Sequence, residues 1–280
     1  MISFYIIFHY MPLYGILLAF KDFWTSKGIM GSPWVGFDNF RHIFESAKFW
    51  QVFVNTFSIN LLRLIFCFPA PIILAIFLNE VRNDYFKRVI QTIIYLPHFI
   101  SWVVIASILI TILGTEGVVN QLIMMFGGES INFLTTNSLF RPIVILSSIW
   151  KDVGWGTIIY FAALSNISPD LYEAAEVDGA GRFRKIFNIT LPSLFPTIAT
   201  MLILNVGSIM TGGFDQIFNL YNPAVYESGD IIDTYIYRIG LTQGEFSNAT
   251  AIGLFLNIIN CSMLLTVNKI ITKIRGYGIY

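Results

Sequence analysis

The residues best suited to chemistry or binding lie at positions 171–192, a charged segment between two strongly apolar ones. Acidic side chains come first and basic ones follow a turn or two later: Asp170, Glu173, Glu176 and Asp178, then Arg182, Arg184 and Lys185. Charged groups on short helices can bind another chain through charge-assisted hydrogen bonds. The segment therefore predicts a helical hairpin that contacts something in the water, with an ordinary polar loop as the alternative.

The same segment carries signals for its own local structure. Asp170 is expected to cap a helix that begins at Leu171. Gly179 and Gly181 permit a sharp change of direction between two short helices. Pro192 is expected to begin the next apolar helix, where its missing N–H costs nothing.

A second set of polar side chains lies within apolar runs, where ionisable groups are costly and for that reason often functional. Sugars are commonly held by aromatic faces and by planar polar groups, and such groups recur here. The candidates for a substrate path are Asn55, Asn60, Arg63, Trp150, Lys151, Asp152, Trp155, Asn205 and Ser208. The alternatives are that Lys151 and Asp152 pair or reach the interface, and that the asparagines bond neighbouring helices.

Composition indicates lipid as the solvent for these elements. Of the 280 residues, 55% are hydrophobic and 12% are charged, against about 25% charged in typical soluble domains. The formal net charge is zero, so nothing suggests nucleic acid. Cys67 and Cys261 both fall in apolar runs, which argues against a disulfide framework or a metal site.

The apolar runs predict an all-α fold, a polytopic membrane bundle formed by residues 1–280 as a single domain. A span needs about 20 apolar residues, and six fit, near 2–20, 52–79, 89–114, 142–164, 193–212 and 250–271. No basic region precedes the first run, so it is predicted to be a membrane helix rather than a secretory signal. Prolines inside the spans predict kinks, at Pro12, Pro69, Pro71 and Pro97.

Basic residues beside the spans predict the orientation. Nine lie in short segments on one side: Arg82, Lys87, Arg88, Arg182, Arg184, Lys185, Lys269, Lys273 and Arg275. The other side has six, and they are spread over longer loops. The hairpin at 165–192 and both termini are thus expected in the cytosol. The connection at 213–249 is long and aromatic, which predicts a partner or a solute on the outer face.

The spacing within the hairpin resembles the EAA signature of ATP-binding-cassette importer permeases. The sequence has Glu173-Ala174-Ala175, three residues, then Gly179; nine residues further come Ile189, one residue, and Leu191-Pro192. The chain is similar to the carbohydrate-uptake permeases through SIWKDVGWGTIIYFAAL and FAALSNISPDLYEAAEVDGAGRFRKIFNITLPSL. YMPLYGILLAFKDF, GSPWVGFDNF and the tail IRGYGIY resemble a branch that handles larger oligosaccharides.

The resemblance implies the type I importer permease fold, with six transmembrane helices and a cytoplasmic coupling helix, in the plasma (inner) membrane. It implies that the hairpin fits a cleft on a separate ATPase subunit. The ATPase-coupling residues would then be Glu173, Ala174, Ala175, Asp178, Gly179, Ile189, Leu191 and Pro192. The implied partners are a second homologous permease, an ABC ATPase dimer, an extracytoplasmic solute-binding protein, a sugar and membrane lipid.

Motifs for chemistry within this chain are missing. The sequence contains no G-x-x-x-x-G-K-[ST] phosphate loop and no Gly-Lys dipeptide, so ATP hydrolysis is expected on another subunit. We expect no enzyme activity, no cofactor and no metal in this chain. Two alternatives stay open: the same machine with a non-sugar solute, or an ion-coupled secondary carrier. The second is disfavoured because no chain of carboxylates and histidines crosses the membrane.

Overall fold

The computed structural model describes residues 2–275, with side chains for residues 2–273. Within that range the backbone is helical or irregular, and its one extended pairing is an isolated bridge between Lys21 and Trp34. The prediction of an all-α membrane bundle is confirmed. Most of the tail motif IRGYGIY, at 276–280, lies outside the described residues.

The α-helices have the following bounds: α1 Ile2–Tyr5, α2 Gly28–Gly31, α3 Asp38–Glu45, α4 Ala47–Phe66, α5 Pro69–Glu80, α6 Asp84–Tyr95, α7 Trp102–Leu113, α8 Val118–Met125, α9 Asn137–Leu164, α10 Pro169–Val177, α11 Arg182–Lys185, α12 Leu191–Val206, α13 Phe214–Leu220, α14 Tyr226–Gly229, α15 Ile232–Tyr237 and α16 Phe246–Arg275. The 3₁₀ segments are Met11–Phe20, Leu96–Phe99 and Pro223–Val225, and the π segments are Ile6–Tyr10, Ile186–Thr190 and Arg238–Thr242.

Five helical runs in the described chain are long and apolar enough to cross a membrane: Ile2–Phe20, Ala47–Glu80, Trp102–Met125, Arg182–Val206 and Phe246–Lys273. The predicted fourth span at 142–164 lies within α9, which has 28 residues. That helix is long enough to cross but is not among the five apolar runs. It carries Arg141, Lys151 and Asp152, and the count of six spans stays a prediction.

The first run changes helix type around Pro12. A proline cannot donate a backbone N–H, so an α-helix through it loses a bond one turn earlier. Here a π segment precedes it, in which the Met11 N–H reaches the Ile6 carbonyl, and a 3₁₀ segment follows. The run lies at the periphery of the chain with its large side chains exposed.

The predicted second span, 52–79, is two helices. It begins at α4, where the Ser46 hydroxyl accepts the Phe49 N–H at 3.4 Å, and it breaks at Cys67 and Phe68 before Pro69 opens α5. Proline favours the first turn of a helix because its missing N–H has no partner there. Pro69 therefore separates two helices.

The prediction of one continuous helix for the third span, 89–114, is wrong. The helix α6 ends at Tyr95, a 3₁₀ turn contains Pro97, and α7 begins only at Trp102, after the Ser101 cap. The α-helix is interrupted around Pro97. The carbonyl oxygens of Pro97, His98 and Ile100 accept hydrogen bonds from the ammonium of Lys151 instead. An apolar stretch could leave the helix because this distant side chain satisfies the backbone.

The predicted fifth span, 193–212, is shifted. Helical structure begins at Arg182, continues through the π segment Ile186–Thr190 and ends at Val206, where the chain enters a turn at Gly207. The helix α12 begins at Leu191 with Pro192 in its first turn, as predicted, but the helical run extends back through the π segment to Arg182. The π segment before it absorbs the hydrogen bond that Pro192 cannot make.

The connection at 213–249 folds back against the bundle instead of extending from it. Phe140 and Val144 of α9 pack with Ile217, Val225 and Ile231 in one buried cluster. In a bundle this close packing, rather than loop conformation, holds the segment in place. Gly213 and Gln216 of the segment line the space between α4, α9 and α12.

Candidate translocation cavity and coupling hairpin

A cavity of about 430 Å³ lies between α4, α5, α7, α9, α12 and the start of the folded-back segment. Its volume falls in the range of roughly 300–1,000 Å³ that is usual for small-molecule sites. Its lining combines aromatic, amide and hydroxyl groups with two oppositely charged side chains. The polar and aromatic members are Asn60, Arg63, Cys67, Phe68, Trp102, Ser148, Asp152, Tyr160, Asn205, Ser208, Thr211 and Gln216.

Arg63 is the cation of this lining, and neutral oxygens orient it. Its Nη1 donates to Asn60 Oδ1 at 3.1 Å and to the Gly212 carbonyl at 3.4 Å. Its Nη2 donates to Gln216 Oε1 at 2.5 Å. The buried Nε has no hydrogen-bond partner among the residues described. Gly213, at φ +92°, passes so close that an added Cβ would collide with the guanidinium.

Gln216 holds this arrangement because all its hydrogen-bonding capacity is used. Its Nε2 donates to the Val144 carbonyl at 2.7 Å and to Ser147 Oγ at 2.8 Å. Its Oε1 accepts from Ser148 at 2.9 Å as well as from Arg63. With both amide hydrogens directed at oxygens, the amide oxygen must face the guanidinium.

Asp152 is the anion of the lining, and it pairs with histidine. Its Oδ1 lies 2.9 Å from His98 Nδ1, and the His98 ring stacks on Trp155 with centroids 4.4 Å apart. The alternative pairing of Lys151 with Asp152 is wrong. Adjacent residues on a helix point about 100° apart, and Lys151 turns instead toward the break before α7. There its Nζ donates to the carbonyls of Pro97, His98 and Ile100 at 3.3, 2.7 and 2.6 Å.

The structure thus divides the nine predicted path residues. Five line the cavity: Asn60, Arg63, Asp152, Asn205 and Ser208. Four do not: Asn55, Trp150, Lys151 and Trp155. Asn55 donates to the Glu227 and Asp230 carbonyls of the folded-back segment, at 2.9 and 3.1 Å. Trp150 and Trp155 lie exposed on α9.

Sequence reasoning missed Gln216, Ser148 and Tyr160 as cavity residues. The sequence predicts an outer connection at Gln216, because the span boundaries give no sign that the segment returns to the bundle. A signal was available in FDQIFNL, an apolar stretch in which the glutamine follows two glycines, Gly212 and Gly213.

The hairpin begins with α10, whose cap differs from the prediction. The Ser168 hydroxyl accepts the Asp170 N–H at 3.3 Å, and the helix starts at Pro169. Asp170 therefore donates to the cap and is not the cap itself. Ser-Pro is a strong helix start because the proline lacks an N–H that would need a partner.

The helix α10 ends at Val177, and Gly179 closes it in a Schellman motif. The Ala180 N–H donates to the Ala175 carbonyl at 2.8 Å, and the Gly179 N–H donates to Glu176 at 3.0 Å. This closure requires a left-handed residue, and Gly179 has φ +75°. Gly181 has an ordinary φ of −69°, so the predicted change of direction depends on Gly179 alone.

Two side-chain contacts connect the hairpin to itself and to the next helix. Lys185 forms an ion pair with Glu176 across the turn. The Lys185 ammonium, by hydrogen bond and by charge, holds the pKa of the Glu176 carboxyl below its ordinary value. Tyr172 Oη and Thr190 Oγ1 share a hydrogen bond of 3.0 Å, which attaches α10 to the π segment.

The outer surface of the hairpin is partly apolar. Val177 is 89% exposed and Phe183 is 78% exposed, and Phe187 and Leu171 are exposed beside them. Glu173 and Ala174 are also exposed, while Ala175 is half-buried. Small residues in this position let another surface approach the backbone closely.

The two helices that flank the hairpin both line the cavity. The helix α9 contributes Ser148, Asp152 and Tyr160 and then leads into α10. The continuous run Arg182–Val206 leaves the hairpin and contributes Asn205 at its far end. Its 25 residues measure roughly 37 Å at 1.5 Å per residue. The hairpin is thus joined on both sides to helices that line the cavity.

A bundle of apolar helices around a polar cavity, with a charged hairpin between two cavity-lining helices, defines a membrane permease. Residues 68–267 match the family described as binding-protein-dependent transport system inner membrane component, and the chain belongs to that family. It is thus an inner-membrane permease component of an ATP-binding-cassette importer. The ATPase of such importers is a separate subunit. The resemblance based on the hairpin motif is confirmed at the level of the family.

Individual relatives agree with this placement. Protein LplB of Bacillus subtilis (strain 168) is 44% identical over 278 residues, which are 99% of this chain and 87% of LplB. The polygalacturonan/rhamnogalacturonan transport system permease protein YteP of the same organism is 43% identical over 278 residues, with the same coverage.

Solved structures match over nearly the full length. One is a crystal structure of a bacterial ABC transporter involved in the import of the acidic polysaccharide alginate. The match has a TM-score of 0.92 and 42% identity, and it covers 98% of this chain and 93% of that chain. Another shows a bacterial alginate ABC transporter in complex with an alginate pentasaccharide-bound periplasmic protein. It has a TM-score of 0.92 and 41% identity, with coverage of 99% and 93%.

Proposed function

We propose that this permease moves an oligosaccharide through the cavity described above, powered by ATP hydrolysis on partner subunits. The observation that carries the proposal is the joining of hairpin and cavity by two helices, α9 and the run Arg182–Val206. The relatives support a carbohydrate cargo, because YteP and the alginate transporters are named for polysaccharides. The cavity supports it through aromatic side chains beside amides and hydroxyls.

The hairpin is the proposed site of coupling. Val177 and Phe183 expose apolar surface that a partner would cover, and Glu173 offers a free carboxylate for a basic or amide group. The proposed coupling residues are those of the motif and its turn: Glu173, Ala174, Ala175, Asp178, Gly179, Ile189, Leu191 and Pro192. The Schellman closure at Gly179 fixes the angle at which they are presented.

Movement of the hairpin would change the cavity between two states. Closure of the ATPase dimer pulls the hairpin, and α9 and α12 move with it because they are continuous with it on either side. The permease is then a two-state element whose equilibrium a ligand on another chain shifts. Residues that line the cavity, Asn60, Arg63, Asp152, Asn205 and Ser208, are the proposed substrate contacts.

The proposed assembly contains a second homologous permease, two ATPase subunits and an extracytoplasmic binding protein, in lipid. The alginate transporter bound to its periplasmic protein supports the last of these. The exposed side chains of Ile2–Phe20 and of α9, including Trp150 and Trp155, offer surface for lipid or for the second permease. This chain is proposed to need no cofactor of its own.

ATP-dependent uptake of oligosaccharides into proteoliposomes tests the proposal. With the four partner subunits present, the wild-type complex should take up sugar only when ATP is supplied. Glu173→Gln should reduce uptake at least tenfold, while Asp215→Asn, an exposed acid on α13, should leave it unchanged. Unaltered uptake with Glu173→Gln would exclude the coupling role. Uptake of a non-sugar solute instead, or uptake driven by an ion gradient without ATP, would replace the proposal by one of the two alternatives.

A further inference from the structure

Arg63 places a positive charge in the cavity wall without an ion-pair partner. Among the side chains described for residues 2–273, no carboxylate oxygen lies within 4 Å of its nitrogens. Its hydrogen-bond acceptors are neutral, namely two amides and one carbonyl, and they leave its net charge intact. A cation within a membrane bundle has a high desolvation cost, which an ion-pair partner offsets. An unpaired one is therefore a candidate for a functional role.

Two carboxylates act on Arg63 from beyond ion-pair distance, and each is hydrogen-bonded elsewhere. Asp152 lies against His98 Nδ1 at 2.9 Å. Asp233 accepts the Gly212 N–H at 2.9 Å through its Oδ2. Each is held by that bond, and neither forms an ion pair with the guanidinium. The counter-charge that Arg63 lacks is therefore one that a ligand can supply.

Arg63 keeps guanidinium donors that its neighbours do not use. Its Nη2 carries two hydrogens and makes one hydrogen bond, to Gln216 Oε1, and the buried Nε–H has no partner among the residues described. Gln216 is itself locked by bonds to α9, and Gly213 leaves no space for the guanidinium to move back. The group is thus preorganised, which lowers the cost of binding an anion.

We propose that the cavity selects acidic sugars, and that Arg63 binds the carboxylate of a uronate residue in the transported oligosaccharide. This inference rests on the proposed function and narrows its substrate class. Trp102 and Tyr160 in the same lining offer aromatic faces to the ring that carries the carboxylate. A guanidinium suits a carboxylate because its donors match the two oxygens in geometry and charge.

Uptake by the reconstituted complex tests the inference with paired probes. The probes are tetrasaccharides of galacturonate and of mannuronate, each with its carboxyl-reduced counterpart, which has the same length and linkage. The binding protein is held constant, so a change in the acidic-to-reduced uptake ratio between variants reports on the permease. The wild-type complex should prefer at least one uronide over its reduced form by tenfold or more.

Two variants remove the free charge in different ways. Arg63→Gln deletes it and should lower uronide uptake at least tenfold. Asn60→Asp retains Arg63 and gives it an internal counter-ion where Oδ1 now accepts, 3.1 Å from Nη1. It should also abolish the preference, and a folded complex is expected because shape and size are preserved. Asn132→Asp adds the same charge on an exposed loop outside the cavity and should leave the ratio unchanged.

The outcomes separate this inference from the function it rests on. An acidic-to-reduced uptake ratio that is the same in wild type, Arg63→Gln and Asn60→Asp would overturn the acidic selection and leave sugar import standing. A sulfated tetrasaccharide of otherwise uncharged sugars, imported in preference to the uronides, would overturn the carboxylate assignment. No uptake of any sugar would overturn both. A tenfold drop of uronide uptake in Asn60→Asp, with normal uptake in Asn132→Asp, establishes the site.

Discussion

The ammonium of Lys151 on α9 lies 2.7 Å from the carbonyl oxygen of His98, in the break between α6 and α7. The same ammonium reaches the carbonyls of Pro97 and Ile100. One side chain therefore satisfies three backbone oxygens that a helix would otherwise have bonded. In lipid, unsatisfied carbonyls are expensive, so this lysine stabilises the irregular stretch as a local cation cap.

Replacing Lys151 by methionine should destabilise the protein by about 2–4 kcal/mol, since hydrogen bonds to charged groups contribute about 1.5–3 kcal/mol each and are not additive. Thermal unfolding of the purified permease complex in detergent measures the effect. Lys269→Met, a lysine exposed on α16, removes the same charge and should shift the midpoint by no more than 1 °C. Equal midpoints for the two variants would contradict the role assigned to Lys151.

Gly179 should be sensitive to a methyl group where Gly181 is not. Both glycines have open space around an added Cβ, but Gly179 has φ +75° and Gly181 has −69°. A left-handed conformation costs an L-residue about 1–2 kcal/mol. Gly179→Ala should therefore lower sugar-stimulated ATPase activity by several-fold, and Gly181→Ala should not. A matched loss in both variants would indicate that side-chain space, not backbone conformation, is what matters.

The ion pair of Glu176 and Lys185 should give the hairpin a pH dependence. The pKa of Glu176 is lower in the folded chain than in an unfolded one, mainly through the hydrogen bond and charge of Lys185. A lowered pKa stabilises the folded state above the ordinary carboxyl value of 4.5. That contribution is lost as the pH falls through the folded value.

Carbon-13 NMR of the side-chain carboxyl in the assembled complex follows this titration. In Lys185→Met the pKa of Glu176 should rise toward its ordinary value, and in Lys185→Arg it should stay low. Arg82 also acts on Glu176, as the weakest of the influences that lower its pKa, so Arg82→Met should change the pKa less. An identical titration in all variants would show that the pair does not form in solution.

Asp230 should be the most sensitive acid of the folded-back segment. It is fully buried and lies 2.6 Å from Arg238 Nη2 and 3.2 Å from Lys48 Nζ. Removing one member of a buried pair costs about 3–5 kcal/mol because a charge is left unpaired. Asp230→Asn should lower the unfolding midpoint clearly, and Asp215→Asn, exposed on α13, should not. No difference between them would mean that solvent reaches the pair.

The hairpin was predictable because its signals are local. Charge, small residues and a glycine near a helix end identify it within 20 positions, and the structure adds only that Ser168 is the cap. The path of the chain around Pro97 was not predictable in the same way. The donor that permits the break, Lys151, lies more than 50 residues away, and its partners are backbone atoms without a sequence signature.

The cavity was predictable in part. Asn60 and Arg63 were found because polar residues inside an apolar run are conspicuous. Gln216 was not, because its role depends on the packing of 213–249 against α9, and residues in a connection are expected at the surface. The sequence assigns Lys151 to the path because a charge within an apolar run either lines a path or bonds to other protein groups. Periodicity alone does not distinguish these two roles.

The π segment Ile186–Thr190 sets the angular phase of everything that follows it. A π turn inserts one residue into an α-helix, and one residue corresponds to about 100° of rotation. Shortening this stretch by a single residue would leave the composition and hydropathy of the run almost untouched. It would nevertheless rotate Asn205 away from the cavity and toward a neighbouring helix. The number of residues between the hairpin and the cavity is therefore constrained as strictly as their identity.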